Sequence, residues 1–316
     1  MKTHPLEALS ERYLSKQEFS RATIKSYRNA YKYFIQYLTD HQIEYATTSD
    51  IIDYREQRRT KGYSSPYIYI HICALKGLYR YLRIHQTRLG LPEVYAYDIT
   101  ETIQNERIKP RITKPILSIQ QAKHMIETTK ERRHHLWEYR DHAIVYLMLT
   151  CGLRRFDIVQ AKRCDYQSIA GKRVLFLPRQ GQPETPDQIN IPPGAEEALN
   201  DYLSRRTDDN PHLFISHKKV SQGGQLSRTF FRHMFARVLQ ACGLEHSGIT
   251  PHCLRHTAAV MNVQRGGSIE QTRQLLRHAD IQSTMVYVDY LKQMNDDTAL
   301  QIEQFLLTED AEDDVT

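Results

Sequence analysis

The chain has 316 residues, which is enough for two domains of ordinary size. A hydrophobic content of 40% suits a globular protein, and no run approaches the ~18 apolar residues that a membrane-spanning helix needs. The formal charge is +6 even though five of the 37 acidic residues lie in the last nine positions, so the body of the chain is more basic still and favours a polyanionic partner.

Residues 1–107 are predicted to form a helical bundle with a basic surface. The segment has no apolar signal core at its start, so a cytoplasmic protein is expected. Residues 20–39 and 65–85 place apolar side chains at the 3.6-residue period of a helix, and each also carries a basic stripe. One stripe would indicate only a solvated face, but two in one small bundle favour a surface that follows DNA phosphates. The two stripes are Arg21, Lys25, Arg28 and Lys32, then Lys76, Arg80 and Arg83.

The rest of the chain is predicted to form a larger helical domain with a small antiparallel β-sheet. Residues 108–115 are interpreted as a basic linker, 116–307 as this larger domain, and 308–316 as an acidic, disordered tail. Two strands are predicted at 173–177 and 188–191, around the polar loop PRQGQPETPD. Helices are predicted at 119–129, 138–150, 157–162, 194–206, 227–242 and 291–307, with three more between 250 and 290. The predicted fold class is therefore mainly α.

The stretch from Thr250 to Tyr290 carries most of the reactive side chains. A threonine-proline pair starts a helix there, and it places His252 and Arg255 on one helix face. A Gly-Gly pair ends that helix, and a Ser-x-x-Gln capping box starts a second helix that ends near His278. A third helix begins at about residue 284 and carries Tyr287.

Arg154 follows a glycine that ends a helix, and it completes a set suited to cutting a phosphodiester. Two arginines can clamp the non-bridging phosphate oxygens and stabilise the charge that grows there in the transition state. A tyrosine hydroxyl can attack phosphorus and form a covalent intermediate, while imidazoles can move its proton. No carboxylate cluster suggests magnesium and no glycine-rich loop suggests ATP, so neither a metal nor a cofactor is expected.

Three segments resemble the tyrosine recombinase (phage integrase) family: TCGLRRFDIVQAKRCDY, TPHCLRHTAAV and LLRHADIQSTMVYVDY. The spacing of nine residues from His278 to Tyr287 is typical of that family. Residues 1–107 also resemble the family's SAM-like core-binding domain, so the resemblance covers nearly the whole chain. The matching positions, in order, are Arg154, His252, Arg255, His278 and Tyr287.

The resemblance implies that Tyr287 is the nucleophile, leaving a 3′-phosphotyrosyl bond and a free 5′-hydroxyl. Four protomers would exchange strands between two double-stranded DNA sites with inverted-repeat cores, through a Holliday junction. The segment 291–307 resembles the helix by which family members dock onto a neighbour. The other implied roles are phosphate binding by Arg154 and Arg255, assistance by His252 and His278, and support by Asp157.

One position departs from the family pattern. The family places a catalytic lysine in the turn between two strands, as the general acid for the leaving 5′-oxygen. Residues 178–187 contain no lysine here, and Arg179 is their only cation, while Lys172 precedes the first predicted strand. Arg179 is therefore assigned to this position. An arginine stays protonated up to a pKa above ~12, so it would act by charge more than by proton donation.

Several neighbouring residues have simpler interpretations. His256, one turn after His252, is interpreted as a packing histidine. The two histidines have H-x-x-x-H spacing but lack the glutamate of a zinc-protease motif, so zinc is not expected. Tyr290 has the wrong offset from His278 for the nucleophile. The five cysteines are scattered and show no C-x-x-C pair, which indicates free thiols.

Three functions are consistent with these residues. The favoured one is a site-specific recombinase that integrates, excises or resolves DNA elements. A regulator or accessory DNA-binding protein of the same fold is the second, and the missing lysine supports it. A relaxing topoisomerase or a hairpin-forming resolvase would share the tyrosine chemistry. The chain starts directly with the core-binding bundle, so a further arm-binding domain is not expected, and the target DNA site stays open.

Overall fold

The computed structural model describes residues 4–105, 112–179, 182–217 and 223–309, without the side chains of 182–184, 228 and 308–309. The chain divides into two compact units, Met1–Lys109 and Pro110–Thr316. Half of the predicted linker, residues 108–111, and the acidic tail beyond 309 lie outside the described residues. Among the described helices, none is both long enough and apolar enough to cross a membrane.

The N-terminal unit is a bundle of four helices followed by a short 3₁₀ turn. The helices are α1 (Pro5–Lys16), α2 (Arg21–Asp40), α3 (Thr48–Thr60) and α4 (Ser65–Leu89), and the turn spans Glu93–Ala96. Serine starts α2 by accepting a hydrogen bond from the Thr23 amide at 3.1 Å, and a left-handed glycine ends α4. The two helices with the basic stripes are thus present, with boundaries close to those predicted.

Aromatic side chains fill much of the N-terminal core. Tyr31 is fully buried and donates its hydroxyl hydrogen to the Ala74 carbonyl at 2.9 Å, so its burial leaves no polar group unsatisfied there. The guanidinium of Arg58 lies 4.8 Å from the ring centroids of both Tyr33 and Tyr54. This cation–π contact lets an arginine pack inside the bundle rather than on one of the two basic stripes.

The larger unit is helical with one antiparallel sheet, which confirms the predicted fold class. The sheet has the order β1-β2-β3, with strands Tyr166–Ile169, Lys172–Arg179 and Gln182–Asn190. Its helices are α5 (Ile119–Glu131), α6 (Leu136–Cys151), α7 (Arg155–Gln160), α8 (Pro193–Ser204), α9 (Arg228–Ala241), α10 (Pro251–Gln264), α11 (Ile269–Leu276), α12 (Gln282–Met294) and α13 (Thr298–Glu309).

The sheet corrects two predictions. A first strand, β1, was not predicted, because its exposed residues show little apolar alternation. The polar segment 178–187 is mostly strand rather than loop, since β2 continues to Arg179 and β3 begins at Gln182. Backbone pairing with β2, interrupted by a bulge between Leu177 and Arg179, holds these polar residues in the sheet.

The single helix predicted at 291–307 is wrong, because the structure contains two helices there. Helix α12 ends at Met294 and α13 begins at Thr298. The Asp296 carboxylate accepts hydrogen bonds from the Thr298 amide at 3.2 Å and from its hydroxyl at 2.5 Å, and this cap starts the new helix. The apolar side chains of α13 are exposed, with Leu300 at 50% and Phe305 at 61%.

Candidate active site

The backbone at the start of α7 fixes the position of Arg154. Arg154 is the residue that precedes the helix, and its amide donates a hydrogen bond of 2.6 Å to the Asp157 carboxylate. Its guanidinium reaches the Leu276 and Arg277 carbonyls at 3.4 Å. Burial lowers the pKa of Arg154, Asp157 raises it and Arg277 lowers it again. Asp157 therefore fixes the main chain at Arg154.

Arg255 is the most buried of the candidate residues that carry a charge. It is 2% exposed on α10, and its guanidinium donates to the Gly152 carbonyl at 2.5 Å and to the Leu276 carbonyl. Burial first, and then Arg154 and Arg277, lower the pKa of Arg255 to about 9. Gly152 is left-handed at the end of α6, with φ of 59°, a conformation that glycine adopts without steric cost.

Neither candidate arginine forms an ion pair with a carboxylate within the described part of the chain. Their recorded guanidinium hydrogen bonds go to main-chain carbonyls. Neither guanidinium therefore pairs with the nearby Asp157. Two close cations held by neutral carbonyls keep their charge available for an anion.

Asp157 instead pairs with Arg277, a residue that sequence reasoning did not single out. The Arg277 guanidinium donates to the Asp157 carboxylate, and the two side chains are 7% and 5% exposed. Arg277 ends α11 in the left-handed region, with φ of 50° and ψ of 49°, where glycine or asparagine is usual. This backbone turn directs the chain from α11 into His278. In the sequence, Arg277 could have been noticed as an arginine at the C-cap of a predicted helix.

Tyr287 lies in α12 and points inward among imidazole rings. It is 2% exposed, and its hydroxyl lies 2.9 Å from Nδ1 of His256. The ring of His278 stacks on it at 6.5 Å and 18°, while Nδ1 of His278 lies 3.0 Å from the Thr284 hydroxyl. Burial raises the pKa of Tyr287, and the charges of the two candidate arginines lower it. These arginines therefore lie close enough to favour the ionised form of the Tyr287 hydroxyl.

The three histidines of the site differ in exposure but share one electrostatic setting. His252 has an exposed surface, and its ring lies 5.3 Å from that of His256. Partial burial, and then Arg255 and Arg154, lower the pKa of His252. Burial is also the largest cause that lowers the pKa of His278 to about 4. Both imidazoles are therefore neutral near pH 7 and can accept or donate one hydrogen bond through each nitrogen.

The interpretation of His256 as a packing residue is incomplete, because it contacts the Tyr287 hydroxyl directly. Its spacing from His252 places both on one face of α10, but the sequence does not reveal that α12 brings a tyrosine against that face. Tyr287 is a buried member of the apolar cluster around Leu291 and Val260, and Tyr290 packs against the same cluster. The two differ in that the Tyr287 hydroxyl also lies against Nδ1 of His256 and its ring stacks on His278.

Arg179 lies at the far end of β2 from Lys172. Lys172 pairs with Ile169 beside the β1–β2 turn, and the two cations are roughly 23 Å apart along an extended strand. Arg179 is 48% exposed and lies 3.7 Å from the Asp187 carboxylate. Asp187 also raises the pKa of Arg154, so the end of β2 that carries Arg179 is the end near Arg154. Asp187 was missed, since the bulge hides the strand register.

The donor set of the site suits phosphate rather than a metal. Within residues 4–105, 112–179, 182–217 and 223–309, no group of three or more His, Cys, Asp or Glu side chains could hold a metal ion. A groove of about 770 Å³ opens beside Arg154 and His252, with Phe235 and Arg232 among its lining residues. An extended phosphodiester could thus reach Arg154 and His252 from solvent.

Comparison with known proteins identifies the family. The model of the phage integrase family matches residues 115–294, and that of the phage integrase N-terminal SAM-like domain matches residues 6–86. Tyrosine recombinase XerA of Pyrococcus furiosus is 26% identical over 288 residues, which is 90% of each chain. Tyrosine recombinase XerD of Listeria monocytogenes is 25% identical over 286 residues, covering 86% of this chain and 89% of that one.

Solved structures share the fold. A XerH site-specific recombinase bound to a palindromic difH substrate has a TM-score of 0.71 and 17% identity, covering 93% of this chain and 84% of that one. A lambda integrase dimer bound to a COC′ core site has a TM-score of 0.63 and 18% identity, covering 87% of this chain and 96% of that one. With the family model spanning more than half of the sequence, the chain belongs to the phage integrase family and is a tyrosine recombinase.

Proposed function

We propose that the protein cuts and rejoins double-stranded DNA at specific inverted-repeat sites, with Tyr287 as the nucleophile. The Tyr287 oxygen attacks phosphorus, forms a 3′-phosphotyrosyl bond and releases a 5′-hydroxyl. The observation that carries this proposal is the position of that hydroxyl beside two guanidiniums that have no carboxylate partner in the described chain. The covalent bond conserves the energy of the phosphodiester, so rejoining needs no nucleotide.

The two guanidiniums are proposed to hold the scissile phosphate. The pKa of Arg255, lowered to about 9, reflects burial and repulsion from neighbouring cations, and a bound phosphate would relieve that repulsion. As the pentacoordinate transition state forms, negative charge grows on the non-bridging oxygens. A clamp made of Arg154 and Arg255 is strongest at that moment, which is how it would lower the barrier. His252 and His278 would donate hydrogen bonds to the same oxygens.

Departure of the 5′-oxygen is proposed to depend on Arg179. Its position on β2 near Asp187, whose charge reaches Arg154, supports this assignment. A guanidinium is a poor acid near neutrality, so Arg179 would stabilise the developing oxyanion by charge. To do so, Arg179 would have to exchange the Asp187 carboxylate for the DNA, and an ion pair this exposed contributes so little stability that the exchange costs little.

The N-terminal unit is proposed to bind the DNA backbone through its two basic stripes. In α2 the members are exposed, although Arg28 is held by Glu11 at 2.6 Å. In α4, Arg80 and Arg83 are exposed and Lys76 is partly buried. Contacts of this kind position a protein on a duplex without reading its sequence. We propose residues 1–107 as the core-binding domain and 116–307 as the catalytic domain.

Self-association to a tetramer on DNA is proposed to use α13. Its apolar side chains are exposed, with Ile302 at 55% and Leu306 at 60%. Docking onto a neighbouring protomer would bury them, and four protomers could then exchange strands through a Holliday junction. A protein that acts on chromosomal or mobile DNA would work in the cytoplasm, at the nucleoid. Integration, excision and resolution all use this reaction.

The products from plasmids distinguish recombination from the alternatives. A binding site is first selected from random DNA, where inverted repeats of roughly 11–13 bp around a spacer are expected. A supercoiled plasmid with two such sites should yield excised or inverted products, whereas a one-site plasmid should yield none. A topoisomerase would relax both plasmids without new junctions. An accessory protein would bind the sites and leave both plasmids intact, which would contradict the proposal.

A further inference from the structure

The hydrogen bond between His256 and Tyr287 assigns His256 a chemical role in the proposed reaction. The hydroxyl oxygen of Tyr287 lies 2.9 Å from Nδ1 of His256, and the two rings lie 5.7 Å apart at 46°. This geometry aims the imidazole nitrogen at the hydroxyl rather than stacking the rings. A candidate general base must be within hydrogen-bond reach of the proton that it removes, and His256 is.

The other two imidazoles are engaged differently. His278 lies over the face of the Tyr287 ring, and its Nδ1 contacts the Thr284 hydroxyl at 3.0 Å. His252 lies beside His256, with ring centroids 5.3 Å apart. It also lines the solvent-accessible groove next to Arg154. Among the described residues, the imidazole that forms a hydrogen bond with the Tyr287 hydroxyl is thus that of His256.

We propose that His256 accepts the proton of the Tyr287 hydroxyl as its oxygen attacks phosphorus. The inference rests on the proposed function, in which Tyr287 is the nucleophile. In the cleavage step the Tyr287 oxygen–phosphorus bond forms, the phosphorus–5′-oxygen bond breaks, and the proton moves to Nδ1 of His256. The 5′-oxygen takes up one proton from solvent. In the rejoining step the same bonds form and break in reverse, and His256 returns its proton to Tyr287.

The charges around His256 are consistent with this role. Burial is the largest cause that lowers the pKa of His256 to about 4, followed by His252, Arg255 and Lys114. The imidazole is therefore neutral near pH 7 without DNA, and Nδ1 is free to accept when Nε2 carries the hydrogen. The titratable groups that act on it from outside α10 are His278, Tyr287 and Lys114. A bound phosphate brings a negative charge among these cations, which raises the imidazole pKa when proton transfer is needed.

Two substitutions separate proton acceptance from simple positioning. His256→Ala removes both, whereas His256→Asn keeps a polar atom near the position of Nδ1 but cannot take up a proton. The assay measures covalent adduct formation in a single turnover, on DNA nicked beside the cleavage site so that rejoining is blocked. Both variants should bind DNA like the unmodified protein and should form adduct ~10²–10⁴-fold more slowly.

A fluorinated tyrosine at position 287, with a hydroxyl that ionises near neutrality, gives the decisive comparison. An ionised nucleophile has no proton to lose, so the deficit of His256→Ala and His256→Asn should shrink to within roughly tenfold. Arg154→Ala is the matched control, and its deficit should persist because it concerns the phosphate. The inference would be overturned if His256→Ala formed adduct just as slowly with the fluorinated tyrosine as without it. It would also be overturned if His256→Asn formed adduct as fast as the unmodified protein.

The failure of this inference can be told apart from failure of the proposed function. If Tyr287→Phe still forms adduct, the nucleophile is wrong and so is the proposed function. If Tyr287→Phe forms none and the His256 variants cleave like the unmodified protein, the proposed function stands and His256 has no part in proton transfer.

Discussion

Replacing Arg277 by glycine should have two opposing effects on the free energy of unfolding. Arg277 holds φ of 50° and ψ of 49°, and this left-handed conformation costs a non-glycine residue ~1–2 kcal/mol. Glycine would relieve that cost. The same substitution removes a nearly buried ion pair with Asp157, and breaking such a pair by removing one partner costs ~3–5 kcal/mol. We therefore expect Arg277→Gly to lower the free energy of unfolding by about 1–4 kcal/mol.

The chain offers a convenient probe for this measurement. Trp137 is its only tryptophan and lies in α6 of the larger unit, so its fluorescence during urea unfolding reports that unit alone. The double variant Arg277→Gly with Asp157→Asn should recover part of the loss, because no buried carboxylate is left unpaired. Arg277→Gly at or above the stability of the unmodified protein would refute the reasoning, since the ion pair would then contribute less than the backbone strain.

Two predictions concern DNA. Replacing Lys25 and Lys32 together by alanine should reduce the slope of log K against log salt by nearly two units, because each lost phosphate contact removes about 0.9. Arg28→Ala should change the slope less, since Glu11 already pairs with this arginine. Arg179→Ala should cleave normal DNA slowly but should be largely rescued when sulfur replaces the bridging 5′-oxygen, because a thiolate leaves without stabilisation.

The outcomes against these predictions are equally specific. A slope that is unchanged in the double lysine variant would place the DNA elsewhere on the protein. Lys172→Ala is the control for Arg179, because it lies at the opposite end of β2. If Lys172→Ala shows the sulfur rescue and Arg179→Ala does not, the assignment of the leaving-group cation is wrong.

The sequence predicts the fold of this protein well because its signals are local. Helical periodicity, the Ser268–Gln271 capping box and the proline at the start of α10 each follow from neighbouring residues, and the structure confirms them. The break between α12 and α13 was missed, since a single aspartate that caps Thr298 outweighs the apolar pattern running through it.

The sequence predicts which residues the site contains better than it predicts which residues contact one another there. The five reactive positions could be named from the sequence, and their roles stay proposals. These contacts join elements that are distant in the chain, and the periodicity of a helix or strand does not reveal them. Arg277 reaches Asp157 across 120 residues, and His256 reaches Tyr287 across 31. Asp187 depends on a strand register shifted by a bulge.

Covalent trapping on nicked DNA tests the central claim most directly. Tyr287→Phe removes the hydroxyl that lies 2.9 Å from His256 and should bind DNA normally while forming no covalent adduct. Tyr290→Phe is the matched control, three residues away in the same helix and packed in the apolar cluster, and it should form adduct at an undiminished rate. Adduct formed by Tyr287→Phe but not by Tyr290→Phe would contradict the account.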